Sequence, residues 1–119
     1  MGIDRLRSHV EGMEETTFTL DWSRVRLVPV VANERVSFDA GETKIVSIKP
    51  ITLGPYEMVL ESFYGVNGMG HLQCIGSLQF KHFSEERTAD KAQFRSVIRA
   101  AVLKGDLLGQ VLIVPGQKA

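Results

Sequence analysis

The chain has very little cysteine, no excess of charge of either sign and no long apolar run, and each shortage excludes a class of protein. Its single cysteine, Cys74, rules out an internal disulfide and fits a reducing compartment. Fourteen basic residues balance fourteen acidic ones, so no overall field draws the chain to nucleic acid or anionic lipid. No stretch reaches the ~18 apolar residues of a membrane span. We therefore expect a cytoplasmic protein with neither a nucleic-acid nor a membrane partner.

Length and composition indicate one ordinary globular domain, preceded by a short extension. A chain of 119 residues, 44% of them apolar, is large enough to bury roughly two-thirds of its unfolded surface. Residues 16–119 are interpreted as that domain. Residues 1–15 lack the apolar core of a signal peptide and form either a short amphipathic helix or a frayed terminus. The apolar residues at helical spacing are Ile3, Leu6, Val10 and Met13.

From Thr16 onward the chain shows the period-two alternation of β-strands, with turn residues about every 8–12 residues. The most regular alternation runs from Leu72 to Phe80 and directs Cys74 toward the interior. Pro29 has no N–H to donate, so its strand is an edge strand or a bend. The pattern predicts an all-β fold of about seven to nine short strands with at most one or two short helices.

The most strongly specified stretch is the turn Lys104–Asp106 and the apolar run that follows it. Glycine takes a positive φ at little cost, and aspartate bonds to its own backbone. Seven of the nine residues from Leu107 to Pro115 are apolar. This stretch predicts a buried strand that closes the β-core.

Two segments near the C-terminal half are ambiguous. Ser84–Lys91 is the most polar segment and is interpreted as a surface loop or the start of a helix. Residues 92–101 fit either a helix or a strand, and the residues alone slightly favour the helix. The helix would align Phe94, Val97, Ile98 and Ala101. The strand would align Ala92, Phe94, Ser96 and Ile98.

Three segments together resemble an uncharacterised archaeal family, the domain of unknown function 22. They are the turn at Ala32–Glu42, the glycine-containing segment Tyr64–Gly76, and the turn Lys104–Gly109 behind a charged run and a Phe-containing strand. The resemblance spans Val25 to Pro115. The family has no established activity, so the resemblance implies no chemistry.

A more distant resemblance is to the β-clip fold of deoxyuridine triphosphatases and deoxycytidine triphosphate deaminases. It is carried by the turns Phe38–Glu42 and Leu53–Tyr56, the segment Met58–Ser62, and the strand behind Lys104-Gly105-Asp106. It implies a compact β-clip-like barrel or sandwich in which Phe94–Ile98 is a strand. It also implies a homo-oligomer, and a trimer in particular, because that fold is commonly trimeric.

The residues that carry the chemistry of those enzymes have no match in this chain. Glu61 stands near the place of their phosphate-binding arginine, and Leu107 replaces the arginine of their C-terminal motif. The strand His71–Phe80 contains no carboxylate that would activate water. Nucleotide hydrolysis or deamination is therefore only the alternative function, since a shared fold does not fix function.

The loop Gly65–Gly70 is the candidate ligand site. A phosphate cradle requires a helix after such a loop, whereas here a strand follows, and glycines between strands more often allow a turn or bulge. If the loop binds a ligand, its backbone N–H groups are the expected contacts. The candidate ligand-binding residues are Asn67, Gly68, Gly70 and His71.

Metal and catalytic sites have weaker support, and we assign no catalytic residue, metal ligand or cofactor. His71 and Cys74 point to opposite faces of a regular strand and cannot share an ion without a bulge. A zinc site also requires three or four ligands. Four carboxylates are available for acid–base work, but their spacing does not pair them. They are Glu57, Glu61, Asp90 and Asp106.

The preferred function is a non-catalytic module that binds a small ligand or takes part in an assembly. Its ligand would lie at the Gly65–His71 loop or between subunits. A homo-oligomer is also expected because a small β-domain must hide its strand edges. A metal-handling protein that uses His71 and His82 is a third hypothesis.

Overall fold

The computed structural model describes Val10, residues 13–61 and residues 68–119. Ten strands and one short 3-10 helix, Trp22–Arg24, form the regular structure of this part of the chain. The strands are β1 (Phe18–Leu20), β2 (Arg26–Val31), β3 (Val36–Phe38), β4 (Thr43–Leu53), β5 (Met58–Glu61), β6 (Gly70–Gly76), β7 (Arg87–Ser96), β8 (Ala100–Val102), β9 (Leu107–Val114) and β10 (Gly116–Lys118). The predicted all-β class is confirmed. The count exceeds the expected range because the chain continues past Pro115 into β10, which pairs with β1.

The strands form two three-stranded sheets, ordered β2-β9-β5 and β4-β7-β6, and two small pairs, β1-β10 and β3-β8. Every pairing is antiparallel. The central strands β7 and β9 supply most of the largest fully buried side chains, among them Phe94, Leu108 and Ile113. Fully burying an aliphatic or aromatic side chain stabilises a fold by roughly 1.5–3 kcal/mol, so these two strands hold the two sheets together.

The predicted C-terminal strand is confirmed as β9, the centre of its sheet, and its turn takes the expected form. Gly105 has φ +95°, and Asp106 Oδ2 accepts a hydrogen bond from Leu103 N at 2.8 Å. The turn is also attached to the core, because Gly105 N donates to Ala32 O at 2.8 Å and Ala32 N donates to Asp106 O at 2.9 Å. Asp106 is therefore a turn-forming residue.

Replacing Gly105 tests the turn separately from side-chain contacts. A Cβ at Gly105 meets no atom within 4 Å, so G105A is expected to destabilise the protein only through the positive φ, by about 1–2 kcal/mol. G105N is expected to cost less, because asparagine tolerates the left-handed region better than alanine. Urea denaturation of the three proteins checks this order, and equal midpoints for G105A and the wild type would contradict it.

The inward position predicted for Cys74 is wrong, because β6 contains an irregularity. One extra residue, Gln73, lies between the pairs that Leu72 and Cys74 make with β7. The alternation therefore inverts: Leu72 is buried, Cys74 is exposed, and Ile75 packs against the core. A bulge of this kind moves every later side chain to the other face.

The rest of that predicted strand is also absent, since β6 ends at Gly76. Leu78 and Phe80, expected on its inward face, are 86% and 47% exposed. In contrast, Pro29 lies in β2 at the edge of its sheet, as predicted.

Within the ambiguous region 84–101, β7 and the start of β8 are strand, whereas residues 84–86 and 97–99 are not. β7 runs from Arg87 to Ser96 and pairs with β4 and β6, so the helix favoured by the residues alone is wrong. The interpretation of Ser84–Lys91 as a loop or helix start holds only up to Glu86. Pairing on both sides explains the outcome, because a central strand gains two ladders of backbone hydrogen bonds that an isolated helix would not offer.

The remaining architectural predictions are only partly covered by the structure. The segment 1–15, expected to be a short helix or a frayed terminus, lies almost wholly outside the described residues. In the described part of the chain, no helix is long and apolar enough to cross a membrane.

Candidate functional site

A cleft of about 970 Å³ opens between β5, the end of β6 and the start of β7, hereafter the β5–β7 cleft. The segment 77–86, which connects β6 to β7, lines one side of it. Its buried and half-buried lining includes the apolar side chains of Leu53, Met58, Val59, Ile75 and Ala89. Volume and apolar lining of this kind are typical of sites for small molecules.

The two sheets generate the cleft because they meet incompletely on this side. β5 is the edge strand of the sheet β2-β9-β5, and β6 is an edge strand of the sheet β4-β7-β6. β5 ends its pairing with β9 at Glu61 and β6 ends at Gly76. The space between these two edges is therefore bounded by side chains and not closed by backbone pairing.

One wall of the cleft is fixed by Arg87. Its Nη2 donates to Glu57 O at 2.7 Å and to Gly54 O at 3.1 Å, and its Nε donates to Glu85 O at 3.2 Å. The guanidinium also lies 4.9 Å from the centre of the Phe83 ring. Burial lowers the pKa of Arg87 and the nearby Glu57 carboxylate opposes this shift, and arginine remains charged in any case.

Tyr56 reinforces the same wall in a backbone conformation that a non-glycine residue seldom adopts. Its φ is 61°, which costs about 1–3 kcal/mol. The cost is offset by a hydrogen bond from Tyr56 N to Phe83 O at 2.9 Å. The Tyr56 ring also packs edge-on against Phe83, with ring centres 5.6 Å apart. Arg87 and Tyr56 therefore attach the 77–86 segment to the turn before β5.

Substituting Arg87 tests this attachment. R87K is expected to lower the free energy of unfolding by about 1–3 kcal/mol, because lysine cannot reproduce the forked, stacked contacts and leaves half-buried carbonyls unpaired. The matched control is R99K, since Arg99 is 89% exposed and should cost less than about 0.5 kcal/mol. Urea denaturation measures both, and equal losses would show that Arg87 does not hold the wall.

Asp90 supplies a buried polar atom of the cleft that has no hydrogen-bond partner among the described residues. It lies in β7 between Ala89 and Lys91, and all three line the cleft. Its Oδ1 atom is buried and accepts no hydrogen bond from the described residues. Glu57, another of the carboxylates considered from the sequence, also lines the cleft, but its Oε1 accepts from Gly54 N at 2.6 Å.

The described candidate ligand residues of the glycine-rich loop, Gly68, Gly70 and His71, do not line the cleft. Asn67 lies outside the described residues. Gly68 is exposed and borders a separate pocket of about 240 Å³ together with Asp106. Gly70 is buried against the backbone of Arg95, and His71, paired with Arg95 across the ladder, is exposed. The described members of this set are thus divided between a buried strand position and the surface.

The metal hypothesis finds no cluster in the described part of the chain. Among residues 13–61 and 68–119, no three His, Cys, Asp or Glu side chains are grouped so that they could hold an ion. Cys74 Sγ lies 3.7 Å from Gln93 Oε1. The bulge at Gln73 does remove the objection that His71 and Cys74 face opposite sides, since both are exposed, but it brings no third ligand to them.

Sequence patterns pointed to glycines and missed the cleft because its residues come from three separate segments. The polarity of Ser84–Lys91 indicates a surface loop or the start of a helix, although the segment contains both Arg87 and Asp90. The sequence signal that points to the cleft is Asp90 itself, a carboxylate two residues before an apolar alternation begins at Ala92. A charge at such a place requires either solvent or a partner.

Comparison with known proteins places the chain in a family without assigning an activity. A curated relative, the uncharacterized protein MJ0614 of Methanocaldococcus jannaschii, is 32% identical over 96 residues, which cover 81% of this chain and 74% of that protein. No solved structure matches the chain. The family model described as "Domain of unknown function DUF22" matches residues 3–99, so it starts earlier and ends earlier than the resemblance predicted. Because this match covers far more than half of the chain, the protein belongs to the DUF22 family, as the sequence predicted.

Proposed function

We propose that this protein is a small-ligand-binding module whose ligand lies in the β5–β7 cleft. The observation that carries the proposal is the cleft itself, a space of about 970 Å³ with an apolar inner side and charged residues around it. Leu53, Val59 and Ala89 offer apolar surface, and Lys81 and Glu86 are exposed at the rim. Such a division suits a ligand with an apolar body and a polar end.

The contacts of the wall favour binding without rearrangement. Arg87 and Tyr56 hold the 77–86 segment through hydrogen bonds to Glu57 O and Phe83 O. Because the wall is already ordered, the protein loses less conformational entropy when a ligand binds. More of the free energy of the contacts therefore remains as binding affinity.

The same contacts disfavour the alternative function, hydrolysis or deamination of a nucleotide. A triphosphate requires cations directed into its site. Arg87 is engaged by the carbonyls of Gly54 and Glu57, and Lys91 Nζ donates to Ser47 Oγ at 2.9 Å. Lys81 is then the cation of the described lining that could contact the phosphates, and the carboxylate of Asp90 in the same cleft would repel them.

A fragment screen by NMR on the full chain tests the proposal. Neutral and charged fragments of six to ten heavy atoms are expected to shift the backbone amides of Met58, Val59, Ile75 and Ala89. I75W should fill the cleft and weaken these fragments at least tenfold. I98W is the matched control, because Ile98 is 49% exposed and does not line the cleft. Fragment shifts confined to other regions, or fragment binding by I75W as strong as in the wild type, would overturn the proposal.

Self-association is a second proposal and concerns the assembly role. Two half-exposed apolar side chains, Leu27 at 50% and Ile45 at 54%, lie on the edge strands β2 and β4, where a second copy would cover them. A trimer is the arrangement that the β-clip resemblance favours. Sedimentation velocity over a wide concentration range measures the state, and a strictly monomeric protein would contradict it.

A further inference from the structure

We infer that the ligand of the β5–β7 cleft carries a protonated amine, or a comparable N–H donor, that pairs with the carboxylate of Asp90. This inference rests on the proposed function and adds the chemical class of the ligand. Asp90 lines the cleft, and its Oδ1 is buried without a hydrogen-bond partner among the described residues. A buried carboxylate oxygen is costly unless a donor reaches it.

The neighbouring cations are engaged elsewhere. Lys91 follows Asp90 directly, but its Nζ donates to Ser47 Oγ at 2.9 Å. Arg87 donates to Gly54 O and Glu57 O. Within the described residues, neither side chain forms an ion pair with Asp90, so neither of these cations takes the place that a ligand amine would occupy.

The position of Asp90 follows from an irregularity in the β4–β7 ladder. Ser47 pairs with Lys91 and Ile51 pairs with Ala89, so three residues of β4 stand opposite Asp90 alone. Pro50 is one of them and has no N–H to donate. Both Ala89 and Ala92 are buried, which shows that the alternation of β7 slips between them. Five consecutive residues of β7, Arg87–Lys91, border the cleft, and the slip leaves Asp90 among them without a ladder partner on β4.

The lining around Asp90 defines the rest of the ligand. Leu53, Val59, Ile75 and Ala89 present apolar surface on the same cleft, which suits an alkyl or aryl body. Three cationic and three acidic side chains line the cleft, so the preference for a cation comes from direct contact with Asp90, whose carboxylate attracts an ammonium group and repels an anion placed beside it. The chemistry therefore favours an amphipathic organic amine over a fatty acid or a phosphate ester.

Three probes of equal length test the inference on the wild-type protein. Hexylamine, hexan-1-ol and hexanoate each have six carbons in a line and differ in charge at neutral pH. We expect hexylamine to shift the amides of Val59, Ile75 and Ala89 in NMR titrations, with an affinity at least tenfold above that of hexanoate. A tenfold difference in affinity corresponds to about the free energy of one hydrogen bond to a charged group.

A pair of variants then assigns the effect to one side chain. D90N preserves the shape of the residue and removes its charge, and it should abolish the preference for hexylamine over hexan-1-ol. D39N is the matched control, because Asp39 is 80% exposed and does not line the cleft. It should leave the preference unchanged. A thermal melt confirms that both variants are folded, and the three-probe comparison on the wild type requires no variant.

The outcomes separate this inference from the proposed function. If hexan-1-ol or hexanoate binds the cleft as tightly as hexylamine, or if D90N retains the preference, the amine assignment is overturned while the cleft remains a binding site. If none of the probes shifts the cleft and the fragment screen also fails there, both proposals are overturned.

Discussion

G70A is expected to destabilise the protein by about 3 kcal/mol or more, or to prevent folding. A Cβ on Gly70 would overlap Arg95 O and would lie 2.9 Å from Ser96 Cα. Both atoms belong to the backbone of β7, so no side-chain rotation relieves the overlap. The first pair of the β6–β7 ladder, Gly70 with Ser96, would have to open.

The matched control is a second glycine on the same strand. A Cβ at Gly76 meets no atom within 4 Å, so G76A is expected to change the free energy of unfolding by less than about 1 kcal/mol. Urea denaturation followed by circular dichroism gives both values. If G70A unfolds at the same urea concentration as G76A, the close approach of β6 and β7 at Gly70 is wrong.

This prediction also reassigns one residue of the glycine-rich loop. Gly70 was a candidate ligand contact because glycines expose backbone N–H groups. The structure shows a different reason for glycine at position 70, since only a residue without a Cβ fits against Arg95 O. A loss of stability in G70A therefore says nothing about ligand binding, and the loop is better tested at Gly68, where a Cβ meets no neighbour.

The features predictable from sequence were those determined by one short stretch. The turn at Gly105 and the strand behind it depend on local φ preferences and a continuous apolar run, and both were predicted. Pro29 likewise identified an edge strand, because a missing N–H excludes a central position whatever the neighbours are.

The features that were missed depend on pairing between distant segments. The residues of β7 form a strand and not a helix because β4 and β6 pair with them on both sides. Cys74 is exposed because Gln73 is extra in the β6–β7 register, and a periodic pattern in one strand cannot show an extra residue relative to its partner. The cleft also depends on distant segments, since residues of β5, β6 and β7 together form its lining.

F94A is expected to lower the free energy of unfolding by about 3–5 kcal/mol. Phe94 is fully buried at the centre of the sheet β4-β7-β6, and its ring packs edge-on against Phe38 with the centres 5.7 Å apart. Removing the ring forfeits its transfer free energy and leaves a cavity, because the flanking strands are fixed by their ladders. For a small domain stable by about 5–15 kcal/mol, this is a large share of the total.

The control for F94A is the same substitution at a half-exposed ring, F80A, because Phe80 is 47% exposed. It should cost about 1 kcal/mol or less, since most of the removed surface is in contact with water in both states. F94L should fall between the two, because leucine retains much of the buried volume. Urea denaturation of all three variants measures the order, and a loss in F94A no larger than in F80A would show that β7 does not carry the core. Such a result would also undermine the cleft, whose inner wall is the same strand.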